Sequence, residues 1–96
     1  MNDYCVIFIT AGSKEEAEKL SRGLVEKKLA FCVNTVPSIQ STYHWEGKIH
    51  VDNEILLIIK TLRRNYEELE NWVKKTIVTT FQKLFPFQFI KGCLHI

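Results

Sequence analysis

Five side chains in this 96-residue chain have the types and spacings that chemistry needs: Cys32, Tyr43, Trp45, Lys48 and Glu54. Cys32 and Asn34 stand two apart in the run Ala30-Phe31-Cys32-Val33-Asn34. On a strand they share a side, and a thiol beside an amide suits a soft metal or a small ligand. The simpler reading, a buried cysteine acting as a small hydrophobe, carries more weight on the residues alone. Tyr43 and Trp45 precede a turn and Lys48 follows it, an arrangement able to line a pocket. Aromatic pairs beside a turn more often stabilise a sheet or a subunit interface. Glu54 heads an apolar run, where a carboxylate is either a functional acid or the ion-pair partner of Lys48 or Lys60. The ion pair is the commoner outcome.

Those residues need two long strands to hold them. Tyr4 to Thr10 is a short run rich in β-branched and aromatic residues, the pattern of a buried strand. Gly12 ends it. Ser13 with Glu16 three residues on is a capping box, and Ala17, Leu20 and Leu24, with Val25 beside them, recur at helical spacing as far as Leu29. Ala30 to Trp45 reads as a strand in which Pro37 marks a bulge, bend or edge. Beyond it Ile39, Ser41, Tyr43 and Trp45 share one face; Gln40, Thr42 and His44 share the other. Glu46-Gly47 is a tight turn. Pairing Trp45 with Lys48 then sets His44 against Ile49 and His50 against Tyr43, so the two imidazoles fall on opposite faces and share no metal. Lys48 to Val51 alternates, Asp52-Asn53 breaks it, and Ile55 to Ile59 reads as a central strand covered on both faces. Asn65 with Glu68 repeats the capping pattern, and Tyr66, Leu69, Trp72 and Val73 form a second helical stripe. A last strand is expected around Phe85 to Ile90, with Pro86 placing it at an edge. The order is βαββαβ: an α+β, ferredoxin-like sandwich with an antiparallel sheet and two helices on one face.

Composition narrows the function classes. Hydrophobic residues make up 46% and charged residues 25%, with a net charge of +2, which favours neither nucleic acid nor a membrane surface as partner. The chain is the size of one domain, residues 1–96. No run approaches the roughly 20 apolar residues of a membrane span. The acidic start Met1-Asn2-Asp3 does not read as a secretory signal, and a cytoplasmic location is expected. Cys5, Cys32 and Cys93 form no CxxC pair, and free thiols are expected. The chain contains no Gly-rich phosphate loop, G-x-S-x-G or H-E-x-x-H, so nothing demands catalysis. An RNA-binding module of the same strand order would need exposed aromatics and a basic sheet face, which Ile55 to Ile59 does not offer. An acyl-phosphate hydrolase would want an anion loop after the first strand, for which Ala11-Gly12-Ser13-Lys14 is a weak substitute.

Phe8-Ile9-Thr10 before a helix, Leu29 to Asn34, the segment Ser41-Thr42-Tyr43-His44-Trp45-Glu46-Gly47-Lys48, and Glu54 to Thr61 with its Ile-Lys-Thr ending together resemble the CutA divalent-ion tolerance proteins. The resemblance covers about Asp3 to Lys75. It implies a homotrimer built by sheet-edge pairing, similar to PII-like signalling proteins. It also implies binding of copper or another divalent metal ion and a role in metal tolerance rather than enzymatic catalysis. It would place Cys32 (as the metal ligand), Tyr43, Trp45, Lys48 and Glu54 in an inter-subunit cleft. The alternative it leaves open is a PII-like regulator that binds a small metabolite in that cleft.

Residues 76–96 depart from the family pattern, in which a histidine-containing turn and a V-P-E-I-I strand follow the second helix. A permissible codon set for these residues, read two bases out of phase, encodes an ending of the family type. A frameshift near residues 74–76 is therefore expected, and a nucleotide sequence lacking that second frame would overturn it. A sheet edge left bare by such a tail would pair with other chains and lower stability.

Overall fold

The computed structural model describes the backbone of residues 4–80 and 89–94 and the side chains of residues 4–76. Strand β1 spans Tyr4–Ala11, helix α1 Lys14–Glu26, β2 Cys32–Trp45, β3 Lys48–Leu62, α2 Tyr66–Thr80 and β4 Phe89–Leu94. The four strands lie in the order β2-β3-β1-β4, and every neighbouring pair is antiparallel. This is the βαββαβ ferredoxin-like fold, as the periodicities predict. Of the segment expected to form the last strand, only Phe89 and Ile90 fall inside β4. Residues 81–88, and with them most of that expectation, lie outside the described residues.

Alternation in the central strands sets the layers. Ile7, Ile9 and Ala11 of β1 and Leu57 and Ile59 of β3 point to one side, where they meet Ala17, Leu20 and Leu24 of α1 and Leu69 and Val73 of α2. All are buried, which makes this helix-covered face the core. Thr61 is the buried polar exception among the described residues, and its hydroxyl donates to the Leu29 carbonyl at 2.5 Å. That bond ties the loop after α1 to β3 and satisfies a group that would otherwise be costly to bury.

Helix α1 begins where the capping box predicts. The Ser13 hydroxyl accepts from the Glu16 amide, and the Glu16 carboxylate accepts from the Gly12 amide, both at 3.1 Å. The helix stops earlier than expected, at Glu26. Lys28 takes a left-handed φ of 60°, and the Leu29 and Ala30 amides both turn back to the Leu24 carbonyl. This closure satisfies carbonyls at the helix end. Val25 is exposed rather than part of the stripe. The start expected at Asn65 is a 3-10 turn, Arg63–Asn65, running straight into α2.

Two features correct the sequence reading of the sheet. Strand β3 is continuous through Asp52 and Asn53, because both keep partners on β2: Asp52 faces Ser41 and Asn53 faces Gln40. Cys5 is not a free thiol but lies in a disulfide. The register sets it directly opposite Cys93 on β4, and facing residues on antiparallel strands have Cα separations of about 4.5–5.5 Å, within disulfide range.

The helices pack through one tight contact. A Cβ built on Gly23 of α1 would lie 2.4 Å from the Trp72 ring of α2, so this glycine is the space the indole occupies. Gly23→Ala should lower stability by about 1–2 kcal/mol, overpacking outweighing the better helix propensity. Urea unfolding measures it. In a Trp72→Phe background the same change should be neutral or stabilising.

Candidate functional site

The β2–β3 hairpin closes through Glu46 and Gly47, whose φ values of 52° and 76° are both left-handed. Such a two-residue turn matches the twist of its flanking strands. It fixes the register inferred from the sequence: Trp45 opposite Lys48, His44 opposite Ile49, Tyr43 opposite His50. At the other end of the hairpin, Pro37 marks the predicted bulge. The register passes from Val36 opposite Leu56 to Ile39 opposite Glu54, so Pro37 and Ser38 together face Ile55 alone. A bulge of this kind suits a residue without an amide to donate.

The bulge reverses the parity of β2. Before it Cys32, Asn34 and Val36 point away from the helices; after it Ile39, Ser41, Tyr43 and Trp45 do. Their partners on the uninterrupted β3 all point the same way. The five candidates Cys32, Tyr43, Trp45, Lys48 and Glu54 therefore share the helix-free face. They are not gathered at one point on it. Cys32 begins β2 and Trp45 ends it, a separation of roughly 40 Å along an extended strand. Among the described residues, no three His, Cys, Asp or Glu side chains group to hold a metal ion.

Beyond the bulge the hairpin contributes nothing to the core cluster and forms a two-stranded arm. Its helix-free face carries a linked set of polar groups. The Tyr43 hydroxyl donates to Asp52 Oδ2, and the Tyr43 ring stacks on His50 with centroids 5.5 Å apart and planes at 18°. His50 Nε2 is 3.3 Å from the Trp45 carbonyl oxygen. The Ser41 hydroxyl donates to Glu54 Oε1 at 2.5 Å. Glu54 is thus held by a hydroxyl, not by Lys48 or Lys60, each six positions along β3 and roughly 20 Å away. Cys32 is half-buried rather than part of the core, and its thiol lies 3.6 Å from Asn34 Oδ1, as the spacing of the two residues predicts.

Asp52 is a site residue that the motif reading passed over; Ser41 and His50 were placed beside Tyr43 by face and register but not counted among the candidates. The signal was present: once Trp45 pairs with Lys48, alternation puts all of them on the face of Tyr43. Asp52 was hidden by the low strand propensity of its residue type.

A four-stranded ferredoxin-like domain with an extended polar hairpin arm is the class these features define. A family model described as CutA1 divalent ion tolerance protein matches residues 5–92. A divalent-cation tolerance protein CutA from Thermus thermophilus is 42% identical over 87 residues, covering 91% of this chain and 84% of that protein. A chloroplastic CutA from Arabidopsis thaliana is 47% identical over 68 residues, and the chain spans only 37% of its length. The solved structure of the Cut A1 protein from Thermus thermophilus superposes with a TM-score of 0.77 at 33% identity, covering all of this chain and 84% of that one. The chain belongs to the CutA1 divalent ion tolerance family.

The Tyr43–Asp52 bond has a measurable consequence. The hydrogen bond to Asp52 favours the protonated phenol and, with partial desolvation and the Asp52 and Glu54 charges, pushes the Tyr43 hydroxyl up to about 12. A pKa raised above its unfolded value stabilises the fold fully below pH 10, and the effect is lost as pH rises through about 12. Phenolate absorbance, read as the difference between the chain and its Tyr43→Phe variant, should show this late titration. Asp52→Asn should return it toward about 10.

Proposed function

We propose that the chain acts as a homotrimer that binds a divalent metal ion, copper in particular, and serves metal tolerance without catalysing a reaction. The observation that carries this reading is the helix-free face. Its centre presents Val6, Phe8, Val36, Leu56 and Ile58 with no helix over them among the described residues, and Phe8 and its neighbour-strand partner Ile58 sit at the middle. An apolar sheet face of this kind is stable when buried against another surface. Closed assembly of three copies would bury it and bring the Cys32 end of one copy toward the arm of a neighbour. A thiolate at one end and imidazole and carboxylate groups at the other suit copper in its two oxidation states. Family membership, with its divalent-ion tolerance, supports the metal assignment.

No helix among the described residues is long and apolar enough to cross a membrane. We place the chain in the cytoplasm as part of this reading, and cell fractionation would check it. Neither a nucleic acid nor a membrane is among the proposed partners.

One observation favours a second reading, a PII-like regulator with a small metabolite in the inter-subunit cleft. Trp45 and Lys48 face each other across the turn; the ammonium group suits an anionic group of a small metabolite and the indole a flat ring beside it. Selective metabolite binding without metal would favour it.

Size-exclusion chromatography with light scattering tests the assembly. The chain should run as a trimer, and Ile58→Glu, which plants a charge in the apolar face, should yield monomers with unchanged far-ultraviolet circular dichroism. A trimer indifferent to Ile58→Glu would refute the proposed interface. Copper titration of the trimer, followed calorimetrically, tests the ligand.

A further inference from the structure

The arm's polar face carries one pair of groups that the sequence candidates leave out. His50 and Asp52 are alternate residues of β3, so their side chains leave the same face about 7 Å apart at Cα. Imidazole and carboxylate side chains at that spacing can close on one ion with bonds of about 2 Å.

Each is already held by a further protein group. The carbonyl of Trp45 can only accept, so its contact with His50 Nε2 at 3.3 Å places the imidazole proton on Nε2. The lone pair is then on Nδ1. The Tyr43 ring stacked on the imidazole limits its rotation. The Tyr43 hydroxyl donates to Asp52 Oδ2, leaving Oδ1 to accept elsewhere. A ligating histidine that donates its other N–H to a carbonyl, beside a ligating carboxylate that accepts a hydrogen bond, is how proteins orient metal ligands. The histidine on the far face of the arm has no such support: His44 opposes the exposed Ile49.

Resting on the metal-binding reading above, we infer that His50 and Asp52 form a copper(II) chelate on the arm, with Tyr43 and the Trp45 carbonyl as its positioning groups. The chelate supplies two protein ligands. Solvent, or a group from a second copy in the trimer, completes the coordination. Imidazole nitrogen with carboxylate oxygen suits copper(II), whereas the thiol of Cys32, at the opposite end of β2, suits copper(I).

The test is copper(II) titration of the full chain, followed by calorimetry and electron paramagnetic resonance. The unmodified chain should show hyperfine splitting from imidazole nitrogen. His50→Ala should abolish that splitting and weaken binding at least about tenfold; Asp52→Asn should weaken it while keeping the splitting. Tyr43→Phe, which keeps the ring but removes the donor to Asp52, should weaken binding about 10-fold, the scale for a lost positioning group. His44→Ala should leave the copper(II) spectrum unchanged. Copper(II) binding that survives His50→Ala with the same spectrum but falls with Cys32→Ser would overturn the chelate and leave the metal reading standing. No binding by the unmodified chain would overturn both.

Discussion

The bulge at Pro37 and Ser38 is the constraint on which the rest of the site depends. Side chains on a strand alternate strictly, so one extra residue in β2 transfers every later side chain to the other face. Without it Tyr43 and Trp45 would project on the side of the helices, and of the five candidates only Cys32, Lys48 and Glu54 would remain on the open face. With it, a single face runs from the thiol at one end of β2 to the aromatic and charged groups at the other. Strand β3 pairs through both halves without a break and so carries the correction across the whole hairpin. A proline, which has no amide to lose from the ladder, is well placed to hold that irregularity.

The same bulge divides the hairpin by energetics. Toward β1, the hairpin helps build the core: Val33 and Ile55 pack against it and Leu57 and Ile59 lie within it. Toward the turn, it holds its form through backbone pairing and side-chain hydrogen bonds on the open face, while Ile49 and Val51 stand 68% and 53% exposed on the other. The N-terminus of α1, meanwhile, is closed by its own capping box. An anion loop there would have to displace Glu16, which removes the main attraction of an acyl-phosphate chemistry. Among the described residues, the candidate chemical groups are thus concentrated on the sheet's open face rather than at a helix end.

Much of this was legible in the residues, for identifiable reasons. Proline marked the bulge, Glu46-Gly47 marked the turn, and a two-residue turn leaves one register available, so cross-strand partners from Tyr43 to His50 followed by counting. What was not legible depended on distant partners. Asp52-Asn53 has poor strand propensity, but pairing with Gln40 and Ser41 overrides it. Glu54 lies too far along β3 from either lysine for the expected ion pair, and only the three-dimensional register brings Ser41 to it. The disulfide of Cys5 depends on a strand that enters the sheet at the far end of the chain, a separation that spacing rules for cysteines do not reach. The early end of α1 turns on Lys28 adopting a left-handed φ that its residue type does not announce.

Because the arm lies outside the core, its residues are free to vary in a way the core residues are not. Exchanging a side chain on its open face removes no methylene from a packed interior and opens no cavity, so most such changes fall within about 0.5 kcal/mol in stability. Selection can therefore rewrite the chemistry presented by the arm while the domain behind it stays the same. Fold and ligand preference are separable traits in this architecture, since what the hairpin displays can be exchanged without disturbing the packing of the domain behind it.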